Sequence, residues 1–143
     1  MSESWIDYGY GVQMSQIKIC DVERVKALID LAPTFKAKIN AFFEEERIEP
    51  SLNDYEDYDQ DYYHGFAFIL KSVIEEAEGI ELLSCDDMNG EVYLMYPPLY
   101  PWQMREPDYG VTSDKLDDIY KKYIGIISDS PVEPEIQESH QFG

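Results

Sequence analysis

The sequence predicts an α+β domain in which a small antiparallel sheet, made of an N-terminal strand and a central hairpin, packs with about four helices. Three observations predict it. Ile80 to Tyr96 holds two alternating stretches around Asn89-Gly90, the strongest short-range hairpin signal because both residues accept the positive φ a tight turn needs. Trp5 to Met14 interleaves aromatic residues with Gly9 and Gly11 and has period-two features. Elsewhere, apolar residues recur at helical spacing.

In the hairpin, Ile80–Cys85 forms the first strand, Asp86–Gly90 the turn and Glu91–Tyr96 the second strand. Val92, Leu94 and Tyr96 share one face and Glu91, Tyr93 and Met95 the other. Neither face is strongly polar, so this is expected to be a central pair covered on both sides. Pro97 and Pro98 end the ladder because proline has no N–H to donate.

Taken in order, Trp5–Met14 reads as a strand whose glycines permit a bulge or a close approach. Asp21 caps a first helix over Val22–Leu31, with Val22, Val25, Leu28 and Ile29 on one face. Pro33 opens a second over Thr34–Arg47, lined by Phe35, Ile39, Phe42 and Phe43. That helix ends in Glu44-Glu45-Glu46, which opposes the macrodipole and hints at function. Gly65–Ala77 is a third amphipathic helix closed by Gly79. Tyr100–Met104 is expected to fold back on the sheet, and Asp108–Gly110 to turn. Thr112 or Ser113 caps a fourth helix over Asp114–Ile124, with Leu116, Ile119, Tyr120 and Tyr123 facing in. The polar, proline-containing end reads as a disordered tail, giving one domain over residues 1–129 and a tail over 130–143.

The formal net charge of −19 dominates the composition. It repels nucleic acid and anionic membrane, so no direct contact with either is expected, and it favours basic partners. Neither a signal peptide nor an apolar run near the ~20 residues of a membrane span is visible. Cys20 and Cys85 are far apart, without metal-ligand spacing, and read as buried thiols in a cytoplasmic protein.

Catalytic candidates are sparse. Gly9-Tyr10-Gly11 lacks the spacing and the lysine of a phosphate loop. His64 sits beside Asp61, Tyr62 and Tyr63 without a placed nucleophile, and His140 lies in the tail. Aligned as a calcium loop, the turn matches at Asp87 and Asn89 but places Cys85 and Tyr96 where carboxylates belong. The expectation is no enzyme, no catalytic residue, no metal and no cofactor.

The most unusual segment is Ser51–Tyr63, in which acids and tyrosines interleave with no basic residue. Asp54, Tyr55, Glu56, Asp57, Tyr58, Asp59 and Asp61 are the partner-binding candidates. If extended, alternate carboxylates lie about 6.7 Å apart, comparable with successive phosphates of a nucleic-acid strand. If helical, Asp54, Asp57 or Tyr58, and Asp61 share a face, and either geometry presents an array of carboxylates. The tyrosines would add apolar contact area with a polar tip. The competing reading is a solvated acidic loop.

Cys85–Tyr93, Tyr100–Met104 and the opening Trp5–Gly11 resemble a group of small acidic, uncharacterised proteins of bacterial phages and mobile elements. Such proteins look like anti-CRISPR or other anti-defence inhibitors. The resemblance implies an inhibitor and does not name its target. The carboxylates add the expectation that this non-enzymatic inhibitor binds a basic nucleic-acid site of a host defence protein, such as an RNA-guided CRISPR nuclease with its cationic channel. The alternative is a protein-interaction or immunity-type module that uses an apolar sheet edge, its acidity serving only solubility.

Overall fold

A computed structural model describes residues 4–60, 63–86 and 90–142. It is an α+β fold with four antiparallel strands in one sheet and helices packed on it. The chain runs β1 (Ser4–Gln13), α1 (Val22–Ile29), α2 (Pro33–Glu45), α3 (Leu52–Glu56), the short pair β2 (Asp59–Gln60) and β3 (Tyr63–His64), α4 (Gly65–Glu78), β4 (Leu83–Asp86), β5 (Val92–Tyr96), α5 (Ser113–Ile127) and β6 (Glu135–Phe142). The main sheet has the order β4-β5-β1-β6.

Local chemistry explains the helix ends. The Asp21 carboxylate accepts the Arg24 amide at 3.0 Å, and the Thr112 hydroxyl accepts the Lys115 amide at 3.2 Å. Pro33 begins α2, and Glu76 from α4 accepts both the Thr34 and Phe35 amides at 2.9 Å. These bonds hold the Glu76 carboxyl below its ordinary range. Gly79 closes α4 with φ of +74°.

One core joins helices and sheet. Val12 and Leu94 on the inner sheet face meet Val25, Leu28, Ile39, Leu70, Val73, Ile74, Tyr120 and Ile124. The Tyr120 hydroxyl donates to the Tyr10 carbonyl at 2.8 Å, pinning α5 to β1. On the opposite face the sheet curls until the Cα atoms of edge strands β4 and β6 come within 8 Å. The curl shelters Met95, Tyr93 and Gln137. Gly9 and Gly11 supply the close approach expected of them: a Cβ at Gly9 would lie 2.7 Å from Met95 Cγ, and one at Gly11 would lie 2.0 Å from the Leu94 carbonyl oxygen. No bulge is present, since β1 pairs in unbroken register with β6 from Ser4↔Phe142 to Gly11↔Glu135.

Several expectations are corrected. Residues 135–142, read as part of a disordered tail, form β6. Pairing rests on main-chain hydrogen bonds, which the backbone makes whatever its side chains, and the Gln137 side chain is buried, donating to the Gly11 carbonyl at 3.2 Å. The hairpin exists in the register Leu83↔Met95 to Asp86↔Val92, but it is not a central pair, because β4 is an edge. Its first strand begins at Leu83 instead of Ile80, because the Glu75 carboxylate takes the Leu82 amide at 2.8 Å. Gly90 has φ of +83°, as the turn reading required, whereas Asp87 and Asn89 lie outside the described residues. Cys20 is exposed, not buried.

Candidate functional site

The acid–tyrosine segment does not form the array expected of it. Ser51 and Asp54 make a capping box that opens α3: the Ser51 hydroxyl accepts the Asp54 amide at 3.3 Å, and the Asp54 carboxylate accepts the Ser51 amide at 2.8 Å. Once the segment is helical, Leu52 and Tyr55 share a face that turns inward, and Tyr58, just past the Asp57 C-cap, is buried beside them. Tyr55 is 2% and Tyr58 4% exposed. Tyr55 packs edge-on against Phe43, and Tyr58 lies 5.1 Å from Phe42 between ring centroids. Both rings belong to the core, which leaves little of either side chain exposed to act as the anchor expected of it. Glu56 is exposed, yet its carboxylate accepts the Phe66 amide at the start of α4 at 3.3 Å. Asp57 is the exposed C-cap of α3, Asp59 opens β2, and Asp61 lies outside the described residues.

The Pro-aromatic segment after β5 is also corrected, since it does not fold back wholly on the sheet. Tyr100 and Trp102 flank the first residue of a 3-10 turn over Pro101–Gln103 and stack with centroids 4.7 Å apart and planes 2° apart. The Gln103 side-chain oxygen accepts the Tyr100 amide at 2.9 Å and fixes that turn. Trp102 is 80% exposed.

Beside this pair the sheet opens an apolar groove of about 400 Å³. Its walls are Tyr8 and Tyr10 of β1, Tyr96 of β5, Ile136 of β6, and Pro97, Pro98, Leu99, Met104 and Val111. Ile136 is 74% exposed and Tyr8 47%. The two phenols deepest in the wall spend their protons inward. Tyr10 has one phenolic proton, which goes to Asp117 Oδ1 at 2.6 Å; the Pro134 carbonyl oxygen, at 3.1 Å, is the competing acceptor. Tyr96 donates to Asp108 Oδ1 at 2.8 Å, and the other oxygen of that buried carboxylate accepts the Arg105 amide at 2.9 Å. The bond to Asp117, then burial, then the charges of Asp117, Asp114 and Glu133 push the Tyr10 phenol up to about 12. Burial, reinforced by Asp108, pushes Tyr96 up as well. The phenols therefore stay neutral and present ring carbon to the groove, while carboxylates surround its Tyr10 end.

Among the described residues, no group of three or more His, Cys, Asp or Glu side chains is placed to hold a metal ion, and no helix is long and apolar enough to cross a membrane. His64 and His140 stand in strands β3 and β6. The groove escaped sequence reasoning because its walls come from four separate parts of the chain. One signal was present: Ile136 is an aliphatic residue in a mostly polar ending. No protein family, curated protein or solved structure matches this chain.

Proposed function

We propose that this protein is a non-catalytic binding module that docks through the groove between β1, β5 and β6, its acidity selecting a basic partner. The observation that carries this reading is an open apolar groove, next to an exposed Tyr100–Trp102 stack, on a chain of net charge −19. Exposed aromatic and aliphatic side chains gathered in one place are the usual material of binding hot spots. The surrounding carboxylates steer a cation toward it and discourage acidic competitors. The partner class that fits is a basic nucleic-acid-binding protein, an RNA-guided defence nuclease being one concrete case. On this reading the protein is an inhibitor acting in the cytoplasm, which suits Cys20 and Cys85 not being joined in a disulfide.

A second reading keeps one observation in its favour: Glu44, Glu45, Glu46 and Asp57 are exposed carboxylates that could occupy a phosphate site directly. One experiment separates the two. The parent, Ile136→Asp with Trp102→Ala, and Glu44→Gln with Glu45→Gln, Glu46→Gln and Asp57→Asn are each used to capture partners from bacterial lysate, and the captured proteins are identified. Groove docking predicts that a basic nucleic-acid-binding protein is lost with the first variant and kept by the second. The reverse pattern favours carboxylate mimicry. Capture of no such protein by the parent overturns both.

A further inference from the structure

A second concavity lies across the molecule's helical side, where α1 and α2 meet the connection into α3. It holds about 450 Å³, within the range of small-molecule sites. Ile29, Phe43, Ile48 and Pro50 make its apolar surface, and charged side chains form the rim. Tyr55 also lines it. Although this residue is 2% exposed, its hydroxyl makes no hydrogen bond among the described residues. No sealed side-chain oxygen in those residues lacks a partner, so the Tyr55 hydroxyl must open onto the cleft. A nearly buried phenol with an unused donor and acceptor, facing a cavity, points to a ligand.

Charge fixes the kind of ligand. The two lysines of the rim are committed: Lys26 to Glu49 at 2.7 Å and Lys36 to Asp30 at 2.8 Å. Glu23 and Glu44 line the same cleft with no ion pair among the described residues. The surplus is two negative charges above an apolar floor. Burial also pushes the Tyr55 phenol up, so at neutral pH the hydroxyl is uncharged and can accept a hydrogen bond from a cation.

We propose that this cleft binds an organic cation, an ammonium or guanidinium on a short aliphatic stem, with the head between Glu23, Glu44 and the Tyr55 hydroxyl and the stem over Ile29 and Phe43. The same chemistry is offered by a free polyamine and by the lysine or arginine side chain of a protein. The inference does not rest on the groove reading and can stand or fall without it.

The test is a titration of ¹⁵N-labelled protein followed by amide shifts. The probes are 1,4-diaminobutane, Nα-acetyl-lysine amide and Nα-acetyl-arginine amide, with sodium chloride at matched ionic strength and sodium acetate as controls. At least one cation should give saturable shifts at Glu23, Lys26, Asn40 and Tyr55 that neither control produces. Tighter binding of the diamine assigns the site to a free amine, and tighter binding of a blocked amino acid assigns it to a protein side chain. Tyr55→Phe keeps the ring in the core and should weaken binding about fivefold or more, as expected for a lost hydrogen bond to a charged group. The surface variant Glu23→Gln with Glu44→Gln should weaken it at least as much. Absence of saturable shifts overturns the proposal. So does an acetate response at the same amides, or unchanged affinity in both variants.

Discussion

Replacing Gly11 with alanine should destabilise the protein by about 3 kcal/mol. Gly11 pairs with Met95 on one side and Glu135 on the other, where β1 joins both halves of the sheet. An added Cβ would lie 2.0 Å from the Leu94 carbonyl oxygen and 2.6 Å from Met95 Cα. Both are backbone atoms, so no side-chain rotation relieves the clash. Real Cβ contacts essentially never fall under 3.0 Å, so β1 and β5 must part by at least about 1 Å. Ladder hydrogen bonds of about 2.9 Å would stretch to about 3.9 Å, beyond bonding range. Losing roughly three of them at about 1 kcal/mol each gives the total, a large part of the ~5–15 kcal/mol that holds a typical domain together. Urea unfolding followed by far-ultraviolet circular dichroism measures it, and the midpoint should fall while the slope stays the same. Gly125→Ala is the control, because α5 leaves open space around Gly125 and alanine suits a helix better by about 0.5–1 kcal/mol. If Gly11→Ala lies within about 0.5 kcal/mol of the parent, the close approach of β1 and β5 is wrong.

Three further predictions follow from the fold. Removing residues 135–143 should cost more than about 2 kcal/mol in the same assay, because β1 loses its β6 partner and the sheltered Gln137 bond to the Gly11 carbonyl; unaltered unfolding would restore the disordered-tail reading. Gly90→Ala should cost about 1 kcal/mol, wholly through its φ of +83°, since nothing stands within 4 Å of the added carbon. The Glu76 carboxyl is held below its ordinary value by the Thr34 and Phe35 amides, so its contribution is present above about pH 4.5 and lost as acid carries the pH down through its lowered folded value. Melting temperatures of parent and Glu76→Gln measured from pH 7 downward should therefore converge in acid, and a constant gap would contradict the capping role.

The sequence by itself determined the elements that local chemistry specifies. Asp21, Pro33 and Gly79 mark helix boundaries through bonds and dihedrals that involve only near neighbours, and all three mark them in the structure; of the two caps the sequence offered for α5, Thr112 and Ser113, it is Thr112 that caps. The inward residues of α5, from Leu116 to Tyr123, were legible because helical periodicity is written in the chain. The glycines of β1 announced a close approach, though not what approaches. Tertiary structure alone decided the rest. Whether Glu135–Phe142 pairs depends on a free edge of β1 more than a hundred residues away, which no local pattern encodes. Tyr55 and Tyr58 looked like surface anchors because acids surround them in sequence. A capping box makes Leu52–Glu56 a helix that carries Tyr55, Tyr58 follows just past its end, and the hydrophobic effect packs both rings against Phe42 and Phe43. The groove and the cleft belong to no single segment, because each is a space left where separately specified elements fail to meet.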